Sequence, residues 1–484
     1  MDFKWKRATI IGLAREGTAL AKFLAEQGVI VTVSDHKRKE ELQENIAKLK
    51  GLPIRFVLGG HPGEVLNQTD VLFLSPGVPL EASIVVEAKR RGIPISSETK
   101  LFTQLCPATI IGITGSSGKT TTVSLVGHML KASGFRTWVG GNIGQPLIGR
   151  LEEIESTDKV VMELSSFQLE IMEWSPPIAA ILNITLNHLD RHLSMKAYTE
   201  AKLNILRFQQ PGNVAVLGHD LVSNLKSQIS NLESRFLTFS LNEEVEQGSF
   251  LRDGKIILRL NGSKIALRGL PNPRFWPGSG DPGRAKLDLL RLGDTEQWIC
   301  SVDEIKLLGR HNLENVLAAC AIAAVAGASR QAMADVAATF EGVEHRLELV
   351  REMGGVRYYN DSIATSPERT VAALRSFDQP IVLLAGGRDK HLPWDEMARL
   401  TLQKARRLIL FGEAAPIIEE SIRVSGDLEE FVHRCQTLDE AVAMAAREAR
   451  PGDVVLLSPG GASFDAFSDF VERGEWFREL VKAL

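Results

Sequence analysis

Short apolar runs alternate with longer amphipathic stretches from the start of the chain. Ala8-Thr9-Ile10-Ile11 reads as a strand ending on a glycine turn, and Thr18–Gln27 as the helix that follows. Ile30-Val31-Thr32-Val33, ending at Asp35, and Val71-Leu72-Phe73-Leu74, followed by Ser75-Pro76-Gly77, continue the series. Such alternation predicts a parallel sheet with crossover helices. A second stretch opens on Ala108-Thr109-Ile110-Ile111 and carries Lys159–Glu163 and Ile178–Ile184 as strands. A third begins near Val343, with Val356–Asn360, Ile381–Ala385, Leu408–Phe411 and Val454–Leu457 as strands. Between about Glu243 and Glu304 the rhythm breaks, and Pro271 to Lys286 holds too much Pro and Gly for anything but an exposed loop.

Composition narrows the class. A chain of 484 residues is expected to form several domains. With 44% hydrophobic and 24% charged residues it reads as soluble and globular. A net charge of −4 argues against a nucleic-acid partner. No apolar run is long enough to span a membrane, and the first residues lack the apolar region of a signal peptide. Cys106, Cys300, Cys320 and Cys435 are scattered, as in a reducing compartment, so a cytoplasmic location is expected.

Two turns carry candidate chemistry. Gly12-Leu13-Ala14-Arg15-Glu16-Gly17, with Asp35 further on, has the layout of a dinucleotide fingerprint, but Ala14 replaces the glycine that admits a pyrophosphate. A looser nucleotide site and an unliganded turn both fit. The second turn, GITGSSGKTTT from Gly112 to Thr122, lies between a strand and a helix. Gly115 and Gly118 free backbone N–H groups for phosphate oxygens, Lys119 supplies a cation, and the Thr120 hydroxyl suits Mg2+. The usual first glycine of such a loop is Ile113 here. Glu163, at a strand end, can reach a metal below the loop. His188 is a plausible second ligand, although a lone loop histidine is usually polar surface.

The order of GITGSSGKTTT, GGNIGQP (140–146), ELSSFQLE (163–170), LNITLNHLDRH (182–192) and EAKLNIL (200–206) resembles the Mur ligases, the ATP-dependent amide-forming enzymes of peptidoglycan synthesis. LGRHNLENVLAA, EHRLELV, YYNDSIATSPERT, GGRDK and the closing LLSPGGASFDAFSDFVERG extend the likeness to nearly all of the chain except about 243–303. The resemblance implies an α/β protein of three domains. These are a Rossmann-like N-terminal domain (1–100) for the UDP substrate, a P-loop ATPase central domain (101–342) containing the unassigned insert, and a Rossmann-like C-terminal domain (343–484) for the amino acid. Its shorter loop motif accounts for Ile113.

The resemblance also implies residue roles. Gly115, Ser116, Ser117, Gly118, Lys119, Thr120 and Thr121 would hold ATP, joined by His311, Asn312, Asn315, Arg346 and Asp361. Thr120, Glu163, His188 and a carbamylated Lys202 would bind two Mg2+ ions; Lys119, Glu163, His188 and Lys202 form the implied catalytic set. Arg15, Glu16, Asp35, His36, Lys37, Ser75, Pro76 and Gly77, with Asn142, Ser165 and Gln168, fall at UDP-substrate positions. Thr365, Lys390, Ser463 and Phe470 fall where the incoming amino acid is held. The implied substrates are UDP-N-acetylmuramoyl-L-alanine and glutamate, joined through an acyl phosphate by a monomeric enzyme. D-glutamate is the expected isomer. Ile363 stands where many relatives have Lys, which keeps L-glutamate addition open. A non-catalytic nucleotide-binding protein is the alternative from another class, and the retained metal-binding set argues against it.

Overall fold

The computed structural model describes residues 3, 5–185, 194–260, 264–267, 288–291, 295–423 and 431–484. The expected helix at Thr18 begins earlier, at Arg15, and runs to Glu26 with its apolar side inward (Leu20, Ala21, Phe23 and Leu24 are buried). It follows β1 (Arg7–Ile11) and leads to β2 (Ile30–Asp35). With β3 (Ile54–Leu58), β4 (Val71–Leu74) and β5 (Ile95–Ser96) these strands form an all-parallel sheet in the order β3-β2-β1-β4-β5. Strand order reverses between β1 and β4. The turns after those two strands therefore flank the crevice in which open α/β sheets bind ligands.

A second sheet has the order β16-β13-β12-β11-β10-β9-β6-β8-β7. Its parallel part comprises β6 (Thr109–Thr114), β7 (Thr137–Gly141), β8 (Lys159–Glu163), β9 (Ile178–Ile181), β10 (Val214–Gly218), β11 (Arg235–Ser240) and β12 (Gly248–Arg252). β13 (Lys255–Leu260) then adds antiparallel to β12. β14 (Lys264–Leu267) and β15 (Asp288–Arg291) pair with each other as a separate hairpin, and β16 (Thr295–Ser301) returns antiparallel to β13. Part of the unassigned insert therefore extends the central sheet. The proposed loop at 271–286 lies outside the described residues. β9 stops short of the predicted Ile184 because Leu182 N donates to Thr114 O and Asn183 O accepts from Ser116 N, which turns the chain toward the phosphate loop.

The third sheet runs β17-β18-β22-β19-β20-β21, with β17 (Glu348–Met353) antiparallel to β18 (Val356–Asn360). β19 (Ile381–Gly386), β20 (Ala405–Phe411), β21 (Val432–Arg434) and β22 (Val454–Gly460) complete it in parallel. Alternate residues of β19 enter cores on opposite faces: Leu383 and Ala385 on one, Val382 and Leu384 on the other. A strand covered on both faces reads as a continuous apolar run, which made it recognisable in the sequence. The chain divides into two compact units: one carries the first two sheets (Met1–Glu304 with Glu314–Ala338), the other the third (Ile305–Leu313 with Thr339–Leu484).

Candidate active site

β6 delivers the loop 115–118, and a helix begins at Lys119 and runs to Ala132. Ile113 lies inside β6, wholly buried, so the loop proper begins after Thr114. Gly118 has a φ of 79°, and a Cβ there would meet Asn315 Oδ1 at 2.2 Å. The loop is fixed from the side by Asn183, whose Oδ1 accepts from Ser117 N (2.9 Å) and whose O accepts from Ser116 N. Ser116 Oγ lies 3.0 Å from the Tyr198 hydroxyl. Lys119 Nζ folds back to donate to Gly115 O (2.8 Å) and Ser116 O (3.2 Å), with its charge over the loop. Thr121, in the first turn of that helix, is buried.

Thr120 and Glu163 are brought together: Thr120 Oγ1 donates to Glu163 Oε2 at 2.8 Å. Asn142 Nδ2 donates to the other oxygen at 2.8 Å and Asn142 N to the Glu163 carbonyl, which fixes the carboxylate in one orientation. Two hard oxygens this close match neighbouring ligands of an octahedral Mg2+, which stand about 3 Å apart when each bond is about 2.1 Å. The donor set therefore fits that ion. His188 lies outside the described residues.

Lys202, on the helix Met195–Arg207, is 1% exposed. Its Nζ donates to Gly115 O (2.9 Å) and Thr114 Oγ1 (3.3 Å) and lies over the Tyr198 ring. Burial pushes its pKa down to about 6; Lys119 adds to the effect and Glu163 opposes it. Among the described residues no carboxylate forms an ion pair with this amine, and burial favours its neutral form.

In the first sheet, the glycines that suggested a fingerprint serve close packing. A Cβ on Gly17 would meet Gly12 O at 2.0 Å, and one on Gly12 would meet Ser75 Oγ at 2.8 Å. Asp35 holds this corner by accepting from Leu13 N (2.6 Å) and Lys37 N (2.9 Å). Arg15, His36 and Lys37 are exposed beside it. Ser75 and Pro76 line a recess together with Phe167 and Gln168, and Gly77, the next residue, is exposed. Gln168 is buried. Its Oε1 accepts from Ser165 N and Oγ in a capping box, and its Nε2 donates to Glu16 Oε1 (2.9 Å) and Thr99 Oγ1 (3.0 Å). Glu16 thus spends one carboxylate oxygen on Gln168, while its other oxygen is buried without a hydrogen-bond partner among the described residues. His61, which the sequence reading missed, packs its ring against His36 at 4.1 Å and bonds Ser34 Oγ at 2.8 Å. The Gly59-Gly60-His61 turn was its only sequence signal.

In the other unit, Asp361 is buried, accepting from Ser458 Oγ (2.8 Å) and Leu347 N (3.3 Å). Burial raises its pKa to about 7, against opposing pulls from Ser458 and the Arg346 guanidinium. The His311 ring packs against Gly309, and Asn312 Nδ2 donates to Leu308 O (2.7 Å). Lys390 Nζ donates to Thr365 Oγ1 (3.2 Å). Ser463 is buried one residue after Ala462, whose backbone exchanges both hydrogen bonds with Arg388. Phe470 O accepts from Ser362 Oγ (2.8 Å). Among the described residues, no helix is long and apolar enough to cross a membrane.

Three family models match the chain in sequence: the N-terminal domain of MurD-like Mur ligases over residues 6–97, the Mur ligase middle domain over 113–323, and the Mur ligase glutamate ligase domain over 345–461. The UDP-N-acetylmuramoylalanine--D-glutamate ligase of Symbiobacterium thermophilum is 43% identical, over 99% of this chain and 98% of its own. That of Acetivibrio thermocellus is 39% identical, over 99% and 97%. The fold is shared with the UDP-N-acetylmuramate-alanine ligase of Thermotoga maritima (TM-score 0.58, 18% identity, 99% of both chains). It is also shared with the MurF ligase of Thermotoga maritima in complex with ADP (TM-score 0.55, 16% identity, 100% of both chains).

Proposed function

This chain belongs to the Mur ligase family, and from that premise we propose that it joins D-glutamate to UDP-N-acetylmuramoyl-L-alanine, driven by ATP, in peptidoglycan precursor synthesis. The observation that carries the chemistry is the convergence of Lys119, Thr120, Glu163 and Lys202 on one phosphate loop. The alanyl carboxylate attacks the γ-phosphorus; a new O–P bond forms, the bridging P–O bond breaks and ADP leaves. Lys119 and the N–H groups of the loop meet the charge that moves onto the phosphate oxygens. The amine of glutamate then attacks the acyl carbon, loses its proton and expels phosphate as the amide forms. Mg2+ held by Thr120 and Glu163 would neutralise phosphate charge.

The buried, near-neutral amine of Lys202 suits carbamylation. Its nitrogen would add to the carbon of CO2 with release of a proton, placing a carboxylate-like group beside the metal ligands. A second Mg2+, held by that carbamate and His188, completes the reading. The exposed residues Arg15, His36 and Lys37, with the Ser75–Gly77 turn, take the UDP moiety. Asn142, Ser165 and Gln168 frame the muramoyl-alanyl part. Gly115–Thr121, His311, Asn312, Asn315, Arg346 and Asp361 are the residues read as taking ATP. Thr365, Lys390, Ser463 and Phe470 take glutamate. The four free cysteines suit a cytoplasmic enzyme, and we read it as a monomer.

The test is phosphate release from ATP and Mg2+ with UDP-N-acetylmuramoyl-L-alanine, comparing D-glutamate, L-glutamate and diaminopimelate. Turnover with D-glutamate alone is expected. Silence with both glutamate enantiomers overturns the reading.

A further inference from the structure

Three cations gather around the 361–366 loop of the second unit. Lys390 Nζ reaches Thr365 Oγ1 at 3.2 Å. Arg369, in the first turn of the helix Pro367–Leu374, donates from Nη1 to Ile363 O at 2.8 Å. Behind the loop lies Arg473, wholly buried: its Nε donates to Ser362 Oγ (3.0 Å), its Nη2 to Ser362 O (2.9 Å), and both Nη atoms to Gly461 O (3.3 Å). Among the described residues, none of the three has a carboxylate oxygen within ion-pair distance.

Lys390 is repelled by the other two. Burial pushes the Lys390 pKa down, and Arg369 and then Arg473 push it further. Asp361, the carboxyl that feels Arg369, is already bonded to Ser458 Oγ and Leu347 N. It cannot balance three charges. Asp465 attracts Arg473 without forming an ion pair with it, and like charges so placed become more favourable when an anion binds among them.

The cations differ in what they can offer. Arg473 commits its donors to backbone and hydroxyl oxygens and so braces the loop. Arg369 is exposed and commits only one Nη, which leaves the rest of its planar fork without a protein acceptor among the described residues. Such a fork matches a carboxylate, whereas Lys390 offers a point charge. Two available cations of different geometry suit a ligand with two carboxylates.

We propose that Arg369 is a second substrate-binding cation of the amino-acid site, holding one carboxylate of the incoming dicarboxylic amino acid while Lys390 holds the other. This rests on the ligase reading above. Arg369→Gln and Arg369→Lys are assayed in the full-length enzyme with D-glutamate varied and the other two substrates saturating. Loss of one charge-assisted carboxylate contact in Arg369→Gln is expected to raise KM for D-glutamate on the order of ten- to a hundredfold. Its kcat, and its KM for ATP and for the UDP substrate, should stay near wild type, with partial recovery in Arg369→Lys. The preference for D-glutamate over D-glutamine, which has one carboxylate fewer, should narrow in parallel. An unchanged KM for D-glutamate, or a rise in KM for the UDP substrate instead, overturns the inference while wild-type turnover leaves the ligase reading standing. A wild-type enzyme inactive with both enantiomers overturns the ligase reading itself.

Discussion

A lysine amine with a pKa of about 6 is mostly unprotonated at neutral pH, and only the unprotonated amine can attack CO2. Enzyme equilibrated with 13C-bicarbonate should therefore show a carbamate carbon signal that Lys202→Ala lacks. The variant should lose kcat by on the order of a hundred- to a thousandfold, the scale of deleting one electrostatic stabiliser, and should regain part of it with formate or acetate. Unimpaired turnover without either additive would rule the carbamate out. At this scale the sequence was legible where residues act in company. Lys202 alone reads as an ordinary helix lysine, and only its place among the motifs marked it. The phosphate loop needs glycine where φ is positive, and Gly118 stands there. Arg369 escaped notice because nothing local announces a cation whose counter-ion is a substrate.

At the scale of elements, buried side chains tie three helices together. Gln168, in the helix Ser166–Glu170, bonds Glu16 in the helix Arg15–Glu26 and Thr99 in the helix Glu98–Leu105. Thr99 Oγ1 also donates to Glu98 Oε2 (3.3 Å), and Ile148 N to Glu98 Oε1. Burial first, and repulsion from Glu16 next, hold the Glu98 carboxyl above the ordinary carboxylate range; burial raises Glu16 likewise. A raised folded-state pKa means that the native protein binds more protons than the unfolded chain above pH 4.5. Stability must then fall as pH rises from there through the folded-state values. Glu98→Gln should flatten this slope, gaining Tm over wild type near pH 8 relative to the difference near pH 5, by thermal unfolding at about those two values. An equal Tm difference at both would show that Glu98 does not titrate in this window. Buried parallel strands such as β1, β6 and β19 were plain in the sequence, whereas β10, buried and parallel on both sides, was not named from it. β12, β13 and β16 were not, because their sheet face carries charge: Arg252 and Arg259 lie over Phe250 and pair with Glu244 and Glu296. Charged positions on that face cut the apolar runs short: in β13, Ile256-Ile257-Leu258 is broken at Arg259.

For the whole molecule, the order of three α/β stretches was legible from periodicity and carried the architecture. What periodicity could not supply was the use of the segment between β13 and β16. Leu260 and Thr295 are register partners in the β13–β16 pair, so the chain leaves the sheet and returns to it at one place. Among the described strands, β14 and β15 pair only with each other. Replacing residues 261–294 with a two-residue Asn-Gly turn should therefore close an antiparallel pair already in register, leaving Tm within about 2–4 °C and kcat within about twofold. A collapse of either would assign the segment a part in folding or turnover.

The corner where Gly17 meets Gly12 O and Gly12 meets Ser75 has a consequence for inhibition. Bacteria escape a drug by altering the residues it touches. At Gly12 and Gly17 even one added methyl group collides with backbone or with Ser75, so the codons there have almost nowhere to drift. A compound anchored on that turn would meet two positions with few viable substitutions, whereas Arg15, His36 and Lys37 beside it are exposed and freer to change.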